Sequence, residues 1–188
     1  MKLKLFLAIV ITIFIITSCS LNQEKVELKE KSEIQKLNQV QIIGTGIGEI
    51  PPDFTVVSSD GKAIRLNNLL EQKKPVIVYF MATWCPYCAE DYESLSKIYK
   101  DYERDINFVS ISLDLNENVL ELAEYKKKYP MLQTMALAEG HEPVLKDYKV
   151  TKTTTKYAIA RNGTIIYKTI GAFNEEQWKI LLDALAKT

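Results

Sequence analysis

The chain has 188 residues, of which 47% are hydrophobic and 26% are charged. This is enough apolar material for one ordinary core, and the length indicates a single folded domain. The 24 basic residues balance the 24 acidic residues, so nucleic-acid binding has no electrostatic support. Three cysteines are too few for a disulfide-stapled small fold, and their odd number indicates a pair and a single residue with different chemistry.

The first 18 residues have the layout of a secretory signal peptide. Lys2 and Lys4 precede an apolar run, Leu5 to Ile16, that is shorter than the roughly 20 residues needed to span a bilayer. Residues 16–19 (ITSC) resemble the lipobox of bacterial lipoproteins, whose cysteine is lipidated and becomes the mature N-terminus. The resemblance implies a lipid on Cys19 that holds the protein on a membrane of the cell envelope, outside the cytoplasm. An ordinary signal peptide followed by a chance cysteine is the alternative.

Three segments follow from this pattern. Residues 1–18 are predicted to be a lipoprotein-type signal peptide. Residues 19–47 are predicted to be a lipid-anchored polar tether, because charges alternate in their first half and large apolar residues are few. Gly44, Gly46 and Gly48 mark the loop into a folded domain that spans residues 48–188.

Strands and helices alternate in the folded domain. Apolar runs predict strands at residues 51–56, 76–80, 107–113 and 135–138. Helical spacing of apolar residues predicts helices at residues 88–102, 119–129 and 144–148. This alternation is typical of a parallel sheet with helices on both faces.

The C-terminal part adds a hairpin and a helix. Asn162-Gly163 separates two apolar runs and predicts a two-residue turn, since both positions of such a turn favour positive φ. Asn174 opens the last helix with Gln177 as its capping partner. The predicted fold is an α/β three-layer sandwich, with a mixed central sheet between two helical layers and a C-terminal hairpin plus helix.

Cys85 and Cys88 lie where a buried strand turns into an amphipathic helix. The free N–H groups and positive dipole at a helix N-terminus stabilise a thiolate, which is the attacking species in disulfide exchange. Pro86 suits the first helical position, where its missing N–H costs nothing. The pattern predicts Cys85 as an exposed nucleophile and Cys88, one turn further and more buried, as the residue that resolves the mixed disulfide.

Three other interpretations of this pair remain open. A zinc site would need two more ligands, and the folded domain supplies only His141 besides the pair. A structural disulfide would close a ring too short to constrain much chain. Two inert buried thiols fit a helix terminus flanked by Trp84 and Pro86 less well. No metal site is predicted.

Residues 80–88 (FMATWCPYC) resemble the active site of the thioredoxin superfamily. Residues 50–185 are similar to its branch of membrane-anchored, thioredoxin-like lipoproteins, through Pro52-Asp53-Phe54, Asp60-Gly61-Lys62 and Arg161-Asn162-Gly163. The resemblance implies a thioredoxin-like fold, no organic cofactor, and disulfide exchange with exported protein partners. It favours a reductant, which needs electrons from a membrane thiol-transfer protein.

The chain departs from this family at two positions. Thr154 stands where the family has a cis-proline facing the active site. A cis bond before a non-proline residue costs about 2.5–4 kcal/mol, so we expect this loop to be trans or reshaped. Glu93 replaces a helix-kinking proline, and we expect a straighter helix.

Other side chains are expected to shape the site. Trp84 is expected to pack beside Cys85, and Pro86 and Tyr87 between the cysteines tune the reduction potential. Asp91 lies where the family branch often has an acid and is a candidate for proton transfer from Cys88. The helix dipole would explain Asp91 without any function.

The leading hypothesis is thus an extracytoplasmic thiol–disulfide oxidoreductase. One alternative is a copper- or metal-binding module on the same fold, although copper-delivery relatives space their cysteines wider and use a well-placed histidine. The other is a non-catalytic interaction lipoprotein that kept the fold.

Overall fold

The computed structural model describes residues 29, 31, 41–130, 132, 134–137 and 142–188, without the side chain of Glu142. The predicted signal peptide, Cys19 and His141 lie outside these residues. Contacts group the chain into two units, Met1–Gln41 and Ile42–Thr188. No helix in the described part is both long and apolar enough to cross a membrane.

A seven-stranded mixed sheet organises the second unit. Its strands are β1 (Thr55–Ser58), β2 (Ala63–Arg65), β3 (Val76–Met81), β4 (Asn107–Ser112), β5 (Thr134–Leu137), β6 (Thr155–Ile159) and β7 (Ile165–Thr169). The spatial order is β2-β1-β5-β4-β3-β6-β7. Strands β3, β4 and β5 run parallel, and all other neighbours are antiparallel. Every residue of β3 and β4 is buried. The sequence of β3 is accordingly a continuous apolar run, whereas β4 also buries the polar residues Asn107, Ser110 and Ser112.

Helices cover both faces of this sheet. They are α1 (Leu66–Glu71), α2 (Pro86–Ser96), α3 (Val119–Lys126), α4 (Glu142–Asp147) and α5 (Glu175–Ala186). Tyr92 of α2, Leu122 of α3 and Trp178 of α5 share one core cluster. Leu66 of α1 and Val144 of α4 belong to the cluster on the opposite face. The predicted three-layer α/β sandwich is confirmed.

The N-terminus of α5 lies where the sequence predicts it, whereas α2 ends earlier than predicted. The Asn174 side chain accepts a hydrogen bond from Gln177 N at 2.9 Å, and the Gln177 side-chain oxygen accepts one from Asn174 N at 3.0 Å, so the predicted cap of α5 is confirmed. Helix α2 runs unbroken through Glu93 but ends at Ser96. The chain then tightens into a 3-10 turn, Tyr99–Asp101, so the helical spacing up to residue 102 overestimated α2.

The β6–β7 hairpin is present, but the predicted two-residue turn is wrong. Gly163 has a φ of 87°, whereas Asn162 does not have a positive φ. Gly163 N donates to Ala160 O and Ala160 N donates to Thr164 O, both at 2.9 Å. The loop therefore has three residues with only glycine in the left-handed region, and the Asn162 side chain instead accepts a hydrogen bond from Thr164 N at 3.0 Å.

Candidate active site

Cys85 caps the N-terminus of α2. Its backbone is extended (φ −78°, ψ 115°), and Pro86 occupies the first helical turn. The Cys85 sulfur accepts a hydrogen bond from Cys88 N at 3.2 Å. A sulfur in this position lies against the unpaired N–H groups and the positive end of the helix dipole, which is the environment that favours a thiolate.

Both cysteines are free thiols, and both are buried. Cys85 is 3% exposed and Cys88 is 0% exposed, so the predicted order of burial holds. The prediction of an exposed Cys85 is wrong. Its thiol is covered where it donates to the Thr153 hydroxyl oxygen at 3.2 Å. Sequence reasoning did not identify Thr153, because it lies 68 positions away along the chain.

The loop that replaces the family's cis-proline is reshaped, as expected. None of the described peptide bonds is cis, and Thr154 has a φ of 60°. This left-handed conformation is uncommon for a β-branched residue. The Thr154 hydroxyl accepts a hydrogen bond from Gly171 N at 3.1 Å and donates to the Thr153 carbonyl. Thr154 thus holds the loop, while its neighbour Thr153 touches the sulfur.

Two aromatic side chains beside the pair face solvent. Trp84 is 65% exposed and Tyr87 is 62% exposed. We expected Trp84 to pack beside Cys85, but its indole N–H donates to Asp114 Oδ2 at 2.6 Å, and this bond holds the ring outward. The two rings give the rim of the site an exposed aromatic surface suited to contact with another molecule.

A buried carboxylate anchors the turn that leads to Cys85. Glu117, which is 8% exposed, accepts hydrogen bonds from Thr83 N at 2.6 Å and from the Thr83 hydroxyl at 2.7 Å. Its other oxygen accepts one from the Ser112 hydroxyl at 2.5 Å. These bonds tie the loop after β3 to the end of β4, and the sequence carried no signal for them.

Asp91 lies one turn beyond Cys88, buried beneath the site. It forms an ion pair with Lys156 at 2.8 Å, and the two side chains are 0% and 1% exposed. Asp91 also accepts hydrogen bonds from the Tyr79 hydroxyl at 2.8 Å and from Phe173 N at 2.7 Å. Burial raises the pKa of Asp91 and lowers the pKa of Lys156, and the attraction between the two opposes both shifts. The helix dipole alone therefore does not account for Asp91.

The Cys88 thiol is held protonated by its surroundings. Burial, followed by its contact with Cys85, raises its pKa from 9.0 to about 12. The Ala82 backbone and the Tyr79 hydroxyl act in the opposite direction through hydrogen bonds. A thiol of this kind becomes a nucleophile only if a nearby group takes its proton.

We expect the stability of the reduced protein to fall as pH rises above 9. The unfolded chain loses the Cys88 proton near pH 9, whereas the folded protein keeps it until about pH 12. Each pH unit in that window removes up to about 1.4 kcal/mol of unfolding free energy. Urea unfolding between pH 8 and 10.5 measures this, with Cys88→Ala as the control. If the wild type and Cys88→Ala lost equal unfolding free energy over this pH range, the raised pKa of Cys88 would be contradicted.

Comparison with known proteins places the chain in a family. The AhpC/TSA family profile matches residues 47–170. The thiol-disulfide oxidoreductase ResA of Bacillus cereus (strain ZK / E33L) is 29% identical over 132 residues, which cover 70% of this chain and 73% of ResA. The thiol:disulfide interchange protein DsbE of Haemophilus influenzae is 28% identical over 122 residues, 60% of this chain and 59% of DsbE.

A solved structure shows the same fold. The crystal structure of a thiol:disulfide interchange protein of the thioredoxin family from Chlorobium tepidum TLS superimposes with a TM-score of 0.63 at 22% identity. The match covers 73% of this chain and 95% of that one. The chain therefore belongs to the AhpC/TSA family, has a thioredoxin-like fold and is a thiol–disulfide oxidoreductase of the ResA and DsbE type.

Proposed function

We propose that this protein is a lipid-anchored, extracytoplasmic reductant of disulfides in exported proteins, with Cys85 as nucleophile and Cys88 as resolving residue. The observation that carries the proposal is the asymmetry of the pair. The Cys85 sulfur receives the Cys88 N–H at the helix N-terminus, while the Cys88 thiol is fully buried and keeps its proton to about pH 12.

The first half of the reaction is an attack by Cys85. Its thiolate attacks one sulfur of the substrate disulfide, so that a mixed disulfide forms and the other substrate sulfur leaves as a thiolate that takes a proton from water. The helix N-terminus stabilises the attacking charge. The exposed rings of Trp84 and Tyr87 provide contact area for the partner polypeptide.

The second half needs the proton of Cys88 to be removed. Asp91 is the buried carboxylate of α2 nearest to Cys88 along the chain, and Tyr79 donates a hydrogen bond to it and also lowers the pKa of the Cys88 thiol. The Asp91 carboxylate accepts the proton, and the Cys88 thiolate attacks the Cys85 sulfur. The second substrate thiol is released, and the protein is left with a Cys85–Cys88 disulfide. Two electrons have passed to the substrate.

The location and partners rest on the N-terminal sequence and on the relatives. Residues 1–18 act as a lipoprotein signal, Cys19 carries the lipid, residues 19–47 form the tether, and the redox domain spans residues 48–188. The similarity to ResA and DsbE supports disulfide exchange, and the signal-like N-terminus supports exported partners. A membrane thiol-transfer protein would return electrons to Cys85–Cys88. No nucleic acid takes part.

The reduction potential tests the direction of electron flow. We expect the soluble domain, equilibrated with dithiothreitol or glutathione buffers, to give a value near about −270 mV or below, as for a reductant. A value near about −120 mV would mark an oxidant and overturn the proposed direction. A pair with no reversible couple would rule out the redox function itself.

A further inference from the structure

Lys156 is a charged residue in the interior of the domain. It lies in β6, where every residue is buried, and its side chain is 1% exposed. Removing an ammonium group from water costs several kcal/mol unless nearby groups compensate. The ammonium pairs with Asp91 and lies 4.6 Å from the centre of the Phe173 ring and 5.0 Å from that of Tyr79. The cation is therefore fully compensated and held in one place.

One set of these contacts leads to Cys88. Lys156 Nζ is 2.8 Å from Asp91 Oδ2, and the same oxygen accepts the Tyr79 hydroxyl at 2.8 Å. The Tyr79 hydroxyl is also one of the groups that lower the pKa of the Cys88 thiol, so it neighbours both Asp91 and Cys88. Lys156 thus fixes the carboxylate of Asp91, which is linked to the surroundings of Cys88 through Tyr79.

The other set leads to Cys85. The Lys156 ammonium donates to the Thr154 carbonyl at 3.3 Å and to the Gly171 carbonyl. Thr154 holds its left-handed conformation against Gly171, and Thr153 places its hydroxyl 3.2 Å from the Cys85 sulfur. Lys156 therefore stabilises the Thr153–Thr154 loop, which occupies the position of the family's cis-proline.

We propose that Lys156 is a positioning residue that acts on both thiols at once, by fixing Asp91 against Tyr79, the neighbour of Cys88, and by holding the Thr153–Thr154 loop against Cys85. This rests on the proposed redox function and deepens it. The ammonium also attracts negative charge on either sulfur, so it favours the reduced form, in which a sulfur can carry that charge, over the uncharged disulfide. Without Lys156 the disulfide form gains relative to the reduced form.

The test is Lys156→Met, with three readouts in the folded, soluble domain. We expect the dithiol–disulfide equilibrium with glutathione to move about tenfold towards the disulfide, about 30 mV more negative. We expect iodoacetamide to alkylate Cys85 about tenfold more slowly at pH 7, and we expect a mixed disulfide at Cys85 to be resolved by Cys88 at a rate reduced about tenfold. Lys168→Met is the matched control, because Lys168 is an exposed lysine of β7 stacked on Tyr157.

Variants that disturb only one of the two sets of contacts separate the effect on Cys85 from the effect on Cys88. Once Cys85 ionises, the Thr153 hydroxyl can donate to its thiolate. Thr154→Gly permits the positive φ but removes the hydroxyl bonds that fix this loop, so it should slow Cys85 alkylation and leave resolution by Cys88 unchanged. Asp91→Asn should slow resolution and leave alkylation unchanged. Lys156→Met should change both. If it changes only one rate or neither, while the wild type shows a reversible couple, the two-thiol role is wrong and the redox function stands. If the wild type shows no couple, the proposed function itself fails.

Lys156→Met leaves Asp91 without its cation and risks unfolding. The charge-neutral pair Lys156→Met/Asp91→Asn is the second variant, compared with Asp91→Asn for Cys85 alkylation. The wild type supplies an independent measurement: the ε-methylene resonance of Lys156 should shift between reduced and oxidised protein, while the ε-methylene resonance of the exposed Lys168 does not. An unchanged Lys156 resonance would overturn the proposal.

Discussion

Cys88→Ser should convert the protein into a covalent trap, and Cys85→Ser should abolish its chemistry. With Cys88 replaced, Cys85 still attacks a substrate disulfide, but the mixed disulfide has no intramolecular thiol to resolve it. Cys88 lies one helical turn from Cys85, and attack from such a position exceeds attack by thiols in solution by orders of magnitude. We expect turnover in insulin reduction to fall by at least about 1,000-fold in either variant.

The two variants differ in what accumulates. Intact-mass measurement under non-reducing conditions should show a one-to-one adduct of oxidised substrate with Cys88→Ser, released by dithiothreitol. Cys85→Ser should give no adduct, because the Cys88 thiol is buried and protonated. An adduct on Cys85→Ser at a comparable rate would reverse the two roles, and turnover by either variant at the wild-type rate would refute the dithiol mechanism.

The sequence was informative where local pattern and burial agree. Strands β3 and β4 are buried on both faces, so their composition alone identified them. The α5 cap was readable because Asn174 and Gln177 bond to each other's backbone. The position of Cys85 followed from a strand meeting a helix that starts with proline. These features depend on residues close together in the chain.

The side chains that surround the two sulfurs could not be predicted from local sequence, because they come from distant parts of the chain. Thr153 reaches Cys85 across 68 positions, and the ion pair of Asp91 with Lys156 joins α2 to β6. One signal was available: Lys156 follows Thr155 in a segment that continues as a buried apolar strand, and a lysine there requires an acidic partner. The sequence showed the lysine but not which of its 24 acidic residues would meet it.

The buried pair also explains how a site without cis-proline keeps its geometry. In this chain the left-handed conformation of Thr154, rather than a cis bond, turns the loop. The Thr154 carbonyl accepts a hydrogen bond from Lys156, and the Thr154 hydroxyl accepts one from Gly171 N. The loop is thus linked through a cation to the carboxylate beneath the resolving thiol. Stability and redox chemistry therefore share the same contacts, and a change in Asp91 should affect both.

Asp91→Asn should destabilise the protein and slow the resolving step together. The amide leaves the Lys156 ammonium buried without a counter-charge, which costs about 3–5 kcal/mol of unfolding free energy in comparable pairs. It also removes the acceptor for the Cys88 proton, and loss of a general base slows a step by about 10²–10⁴-fold. Urea unfolding measures the first effect, and the lifetime of a preformed mixed disulfide on Cys85 measures the second.

Two comparisons separate stability from proton transfer. Glu90→Gln, an exposed acid of the same helix turn, should leave both quantities near wild type. Lys156→Met/Asp91→Asn removes both charges, so it should recover much of the stability lost in Asp91→Asn without recovering the resolving rate. Recovery of the rate along with the stability would mean that Asp91 acts only by holding the fold. A mixed disulfide that persists in a well-folded double variant would identify the carboxylate as the base that activates Cys88.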